Sequence, residues 1–285
     1  MIDSEAIKGH LKTAGKHWKK VEKVVRPYLP LIIRLLIVAT FLEDGIRVMF
    51  ELSPQIDFLN YEYKFPRIIA GFLIFTTTLL SLAGAVGILS QKPMLERYGS
   101  YVLIGFVFYQ QILYGRHSPI GSGNLGFLMR NLCLAGSLLM LVVQQRMSEG
   151  HSALPGIPDP GDKNTIVNYI QLAARLLLVL LSLEFLTTMG PIGTLITLPV
   201  LVAVLIGYKT NIFGVVLLVL YFLHNVLNSA FWTIKTDTHR GAFDREVKRY
   251  EFVQTLSIMG GLLLLISSGP GSISMDEKLG RRKNF

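Results

Sequence analysis

The chain has a single cysteine in 285 residues, Cys133, and it lies inside an apolar run, so no intrachain disulfide is available to staple the fold. Charge is also scarce: Asp, Glu, Lys and Arg make up 16% of the residues, where soluble domains carry about a quarter. There is no N-x-[ST] sequon, and the six histidines are scattered without metal-ligand spacing. A Cys pair, haem-type histidine pairs and a nucleotide fingerprint are missing too, which removes the usual signatures of a membrane oxidoreductase. No cofactor or metal is expected. A cleavable signal peptide is not expected either: the first thirty residues are basic and polar, and the first apolar run is too long and too charged for an h-region.

What the chain has in abundance is apolar residues, at 51%. They cluster in runs of roughly 17–24 residues, the length a helix needs to cross a hydrocarbon core of about 30 Å. The pattern predicts an all-α polytopic membrane protein with about eight transmembrane helices, its first partner the lipid bilayer. The expected spans are 31–52, 66–89, 98–114, 125–143, 169–188, 194–208, 212–232 and 250–268. A Gly/Pro/Ser-containing stretch from Ser148 to Asp162 marks the boundary between two halves. The expected organisation is a basic segment 1–30, a four-helix unit 31–147, a linker 148–168, a second four-helix unit 169–268 and a tail 269–285.

The halves repeat. Tyr28, Leu31, Arg34, Leu35, Leu36 and Glu43 recur 141 residues later as Tyr169, Leu172, Arg175, Leu176, Leu177 and Glu184. Leu132, Gly136, Leu138 and Leu139 likewise answer to Leu256, Gly260, Leu262 and Leu263. Four spans per half bring both halves in from the same side, which makes the repeats parallel. Lysine and arginine set the orientation: sixteen fall on the side of the N-terminus and eight on the other, so both termini are expected in the cytosol. The net charge of +9 is then a flanking-anchor effect, and no basic folded domain remains for nucleic acid.

Ionisable and amide groups inside spans concentrate in the half away from the cytosol. They are Glu43 and Asp44 on the first span, Tyr109 to Gln111 on the third, Arg130 and Asn131 on the fourth, Glu184 on the fifth, His224, Asn225 and Asn228 on the seventh, and Glu251 and Gln254 on the eighth. A polar cavity open to the non-cytosolic side is the simplest account. Each group also has a structural reading: Glu43 with Arg47 four residues on is a neutralising helix pair, and Arg130, Asn131, Asn225 and Asn228 are candidate interhelical ties. Arg34 and Arg175, nearer the cytosol, are placed to snorkel. Gly136, Gly260 and Gly261 read as close-packing positions.

The residues Thr40-Phe41-Leu42-Glu43-Asp44-Gly45-Ile46-Arg47 resemble the surfeit locus protein four family of endoplasmic-reticulum cargo receptors. The likeness continues in Phe127-Leu128-Met129-Arg130-Asn131-Leu132, in Ala230-Phe231-Trp232-Thr233-Ile234, and in Gly269-Pro270-Gly271 followed by Ser274-Met275-Asp276-Glu277-Lys278. The four-helix half is similar to the DoxX-like membrane fold. The resemblance implies a receptor that gathers soluble secretory cargo in the lumen by its N-terminal segment, often hydrophobic residues flanking proline. It implies export on COPII vesicles and return on COPI carriers. Arg281-Arg282-Lys283-Asn284-Phe285 looks like a dilysine retrieval signal, with arginine in place of lysine at the fourth and fifth positions from the end.

Chemistry adds a mechanism. A cargo amine entering a membrane-embedded pocket needs carboxylates, and Glu43, Asp44 and Glu184 are the candidates. Tyr109, Gln111, Arg130, Asn131, Asn225 and Asn228 are candidates for the peptide backbone. A small-molecule or ion transporter is the alternative, since buried charge and repeats are transporter features. Against it stands the one-sided polarity, because alternating access needs a route to the cytosol.

Overall fold

A computed structural model describes residues 27–114, 125–150, 161–188 and 190–283, and among these every regular element is helical. The order is α1 Leu29–Phe50, α2 Leu52–Tyr63, α3 Arg67–Leu89, α4 Pro93–Tyr114, α5 Leu125–Gly150, α6 Gly161–Thr188, α7 Pro191–Ile206, α8 Thr210–Asn228, α9 His239–Ser268 and α10 Met275–Lys283, with a 3-10 turn at Phe231–Thr233. Among the described residues, four stretches are long and apolar enough to cross a membrane: Arg67–Leu89, Gly126–Met147, Thr210–Thr233 and Arg240–Ser268. The other long helices fall short for visible reasons. Arg34, Glu43, Asp44 and Arg47 dilute α1, and the apolar part of α7 covers only Gly193–Ile206.

Several boundaries differ from the sequence reading. The expected linker 148–168 is shorter, because α5 continues to Gly150 and α6 starts at Gly161, leaving residues 151–160 outside the described part. Pro158 and Pro160 sit just before that start, where proline's fixed φ suits entry into a helix. The last long helix begins at His239 instead of Tyr250, capped by the Thr238 hydroxyl, which accepts from the Gly241 N–H. Its first three turns are charged, so apolar runs alone did not reveal them. Helix α2 was not anticipated. Leu59 of this helix is buried with Ala70 and Ile74 of α3, so α2 folds back over the start of α3.

Helices adjacent in sequence pack together: α1 on α3, α3 on α4, α4 on α5, α5 on α6, α6 on α7, α7 on α8 and α8 on α9. The last then packs on α1, closing a ring, and α5 and α9 touch across it. Small residues set how near these helices come. A Cβ on Gly260 of α9 would lie 2.8 Å from the Ile37 nitrogen and 2.9 Å from Leu36 Cβ. A Cβ on Gly136 of α5 would lie 2.8 Å from Leu177 Cβ and 3.1 Å from the Leu178 nitrogen. Between α5 and α9, a Cβ on Gly261 would stand 2.6 Å from Ser137 Cβ. In a bilayer, where lipid competes for apolar surface, such close approach supplies the dispersion energy that holds helices together.

The end of the bundle where α1 begins is sealed. Arg34 donates to both oxygens of Glu96 on α4, at 2.8 and 3.1 Å, and neither side chain reaches out to snorkel. Arg175 is fully buried and donates to the Pro270 and Ile273 carbonyls at 3.1 and 3.0 Å. Gln171, one turn earlier, donates to the Gly269 carbonyl at 2.7 Å. The segment after α9 is thus gripped by α6. It then turns into α10, where Asp276 accepts from the Lys209 and Thr210 N–H groups at 2.7 and 3.0 Å. A carboxylate from the tail therefore caps the N-terminus of α8, which has no side-chain cap of its own.

Candidate functional site

At the opposite end, the last turns of α1 carry Glu43, Asp44, Arg47 and Glu51 along one stripe, because residues three and four apart share a helix face. Arg47 is the hub. Its Nη2 donates to Asp44 Oδ1 at 2.5 Å, while Glu43 and Glu51 approach to 3.8 and 3.9 Å. From α9, Arg249 Nε stands 3.0 Å from Glu43 Oε1 and its Nη2 donates to Glu246 at 2.8 Å. Four carboxylates thus meet two guanidinium groups, leaving a surplus of negative charge. Glu43 Oε2 is buried without a hydrogen-bond partner. The helix pair expected from sequence is present, and Arg249 joins it.

Beside this network lies a cavity of about 190 Å³. Asp44, Arg47 and Val48 of α1 form one wall, and Ile74, Thr77, Thr78 and Ser81 of α3 another. Phe106, Tyr109 and Gln110 come from α4, Phe127 from α5, Tyr250 from α9, and Gln55 and Phe58 of α2 cover it. The lining is mixed: phenyl rings and aliphatic carbons stand among an ion pair, amides and hydroxyls. Several threonine hydroxyls bond back to their own helix, Thr77 to the Leu73 carbonyl and Thr78 to that of Ile74, and so present methyl groups and one accepting lone pair. Tyr250 is different. It is 4% exposed, and its hydroxyl, near Gln110, has no hydrogen-bond partner of satisfactory geometry.

Of the residues singled out in the sequence, Asp44, Tyr109 and Gln110 line the cavity and Glu43 joins Asp44 in the charge network. The amides mostly do something else. Asn131 donates to Gln111 Oε1 at 2.8 Å and accepts from Gln254 Nε2 at 3.2 Å, a buried tie across α4, α5 and α9. Arg130 donates to Thr255 Oγ1 and the Glu251 carbonyl, joining α5 to α9. Asn225 donates to the Phe252 carbonyl at 3.0 Å, and Asn228 meets His224 Nδ1 on its own helix at 3.0 Å. None of these five residues lines the cavity. Gln111, Arg130, Asn131 and Asn225 read as ties between helices, whereas Asn228, exposed at the end of α8, bonds only within its own helix among the described contacts.

Glu184 lies on α6, which contributes no residue to this cavity, and its side chain is outside the described residues. Arg281, Arg282 and Lys283 end α10, and their side chains are likewise outside. Arg47, Arg249, Gln55 and Tyr250 were missed as site residues. For Tyr250 the signal was present but faint, an aromatic residue at the polar end of an apolar run. Gln55 belongs to α2, whose existence the apolar pattern did not show. Among the described residues no group of three or more His, Cys, Asp or Glu is placed to hold a metal ion.

Comparison with known proteins covers nearly the whole chain. A profile of the SURF4 family matches residues 11–283. The chain is 31% identical over 263 residues to Surfeit locus protein 4 homolog of Drosophila melanogaster, covering 91% of this chain and 93% of that protein. It is 31% identical over 259 residues to the homolog of the same name in Schizosaccharomyces pombe, covering 88% and 82%. Against ER-derived vesicles protein ERV29 of Saccharomyces cerevisiae it is 31% identical over 258 residues, covering 89% and 78%. No solved structure matches.

Proposed function

The chain belongs to the SURF4 family, and on that premise we propose that it is a receptor of the early secretory membrane which takes the N-terminal segment of soluble cargo into the cavity at Asp44. The observation that carries this reading is a cavity of mixed apolar and polar lining beside a carboxylate surplus. A chain N-terminus is a cation attached to an apolar side chain and needs both kinds of lining. Asp44 is the residue that meets the amine, with Glu43 keeping the local potential negative behind it. The relative named for ER-derived vesicles supports the compartment. COPII export, COPI return and a retrieval role for Arg281, Arg282 and Lys283 complete the proposal.

The architecture we infer has all eight long helices in the membrane as two parallel four-helix repeats, with both termini cytosolic and the cavity lumenal. It is supported by the packing: Gly136 lies on Leu177 and Leu178 as Gly260, its counterpart in the second half, lies on Leu36 and Ile37, the counterparts of those two residues in the first. The sealed end favours a receptor over a transporter. Toward that end, Ile33, Ile37, Ile88 and Leu103 are buried and Arg34 clasps Glu96.

The test is binding of a synthetic peptide that starts with an apolar residue and proline, its amine free or acetylated. Acetylation abolishes binding to the native protein. Asp44→Asn weakens the free peptide roughly 30-fold or more, the loss of a desolvated charge-assisted contact of about 2–5 kcal/mol. The effect of Glu43→Gln is smaller. Equal binding of free and acetylated peptide defeats the reading. For the tail, serine at Arg282 and Lys283 shifts the protein toward the Golgi and cell surface; unchanged localisation removes that part.

A further inference from the structure

At the sealed end of the bundle, α7 carries a groove of about 530 Å³. Leu198, Val202 and Ile206 recur along it at helical spacing, and Tyr208 from the following turn and Met275 from α10 extend its walls. All five side chains are exposed, so the surrounding medium reaches them. Helix α7 packs on α6 and α8 and is the shortest of the eight long helices. Its apolar part, Gly193–Ile206, measures about 21 Å at 1.5 Å per residue, against a hydrocarbon core of about 30 Å. The turn that follows therefore lies close to the depth where acyl chains meet headgroups, and a lysine there reaches outward to the phosphates.

Two lysines stand at that end of the groove. Lys209 Nζ lies 5.6 Å from the centre of the Tyr208 ring, which forms part of the wall, and both residues are exposed. Lys278, also exposed, follows Met275 by three residues and shares its face of α10. The mounting is fixed: the Asp276 N–H donates to the Gly207 carbonyl at 3.0 Å, and the Asp276 carboxylate is taken up by the Lys209 and Thr210 N–H groups. Glu277, the other acid beside Lys278, is two residues from Met275 and falls on a different face of α10. An apolar slot that ends in two ammonium groups matches one class of bilayer component. We propose that the groove seats an acyl chain of an anionic glycerophospholipid, whose headgroup lies on Lys209 and Lys278. A zwitterionic lipid fills the slot equally well but brings no net charge to the lysines. This rests on the membrane architecture inferred above and is independent of the cargo reading. A lipid so placed touches α7, the turn and α10 at once, and so fastens the tail helix further to the bundle.

The experiment is native mass spectrometry of the full chain in detergent, titrated with phosphatidylserine or phosphatidylcholine of identical acyl chains. The native protein retains phosphatidylserine about tenfold more tightly than phosphatidylcholine. Lys209→Gln with Lys278→Gln brings the two lipids to equal affinity. Val202→Trp, which fills the slot from an exposed position, weakens both lipids, and glycerophosphoserine, the headgroup without chains, does not compete. The preference is a ratio within one protein, so a variant's yield or stability does not enter it. Equal retention of both lipids by the native protein overturns the proposal, and so does a preference that survives the double lysine change. Retention undiminished in Val202→Trp, or displacement by glycerophosphoserine, overturns the seat in the groove. No cargo peptide is present, so these failures leave the receptor reading standing. Detergent has no sidedness, so an inverted chain, seen by protease protection of the tail, changes the leaflet and not the binding.

Discussion

Arg34 and Arg175 occupy matching turns of α1 and α6, 141 residues apart, and their charges are met in different ways. The first has a carboxylate, Glu96, from a neighbouring helix; the second, among the described residues, is met by main-chain carbonyls from the segment after α9. Where the helices cross, the halves agree: Gly136 accepts the backbone of α6 and Gly260 that of α1, at matching positions. At the cavity end they part again, since Asp44 and Arg47 answer to Phe185 and Thr188. The lesson is that close backbone contact constrains both copies alike, whereas groups at helix ends can change partners without moving the frame.

The largest expected effect comes from the ion pair. Glu96→Gln strands the Arg34 guanidinium and costs about 3 kcal/mol or more, the penalty of breaking a buried pair from one side. Arg175→Met frees two carbonyls without leaving a lone charge and costs about 1–3 kcal/mol. Thermal unfolding in detergent ranks them. The reverse order would mean that Arg175 depends on a charge partner and would end the contrast. The seam comes next: Gly136→Ala and Gly260→Ala each force backbone apart and cost about 1–3 kcal/mol, with the two losses similar. Clearly unequal losses would break the claim that the halves share one packing rule. The smallest effect belongs to Asp276→Asn, about 1 kcal/mol from weakening a helix cap. It is read as faster hydrogen exchange at the Lys209 and Thr210 amides, and unaltered exchange there would show that α8 does not need the tail.

Long apolar runs announced α3, α5, α8 and much of α9 directly, because a helix in lipid must satisfy its backbone internally and be apolar outside. The arginine and glutamate repeats announced the matching of α1 and α6. What stayed hidden had polar sequence or distant partners. Helix α2, with Asp57, Asn60 and Glu62, reads as a connecting loop, and only its packing of Leu59 on Ala70 and Ile74 makes it a cover. Asp44 could be named as a carboxylate at the right depth. That Asn131 and Gln111 would satisfy each other depends on rotations of α4 against α5 that no single helix encodes. Glu96 was overlooked because it lies near a helix start, a place where acidic residues usually face water.

The grip of Gln171 and Arg175 on residues 269–273 also has a bearing on biogenesis. Those residues follow every long helix in the chain, and synthesis proceeds from the N-terminus. While the chain is still being made, α6 sits in the membrane with a guanidinium whose acceptors do not yet exist. The bundle becomes complete only when the tail arrives and closes over it, the Asp276 carboxylate engaging α8 in the same movement. A chain interrupted before Gly269 lacks the carbonyls to which the Arg175 guanidinium donates. The segment just ahead of the basic run Arg281 to Lys283 is thus fastened to the bundle at two places, through α6 and through the start of α8.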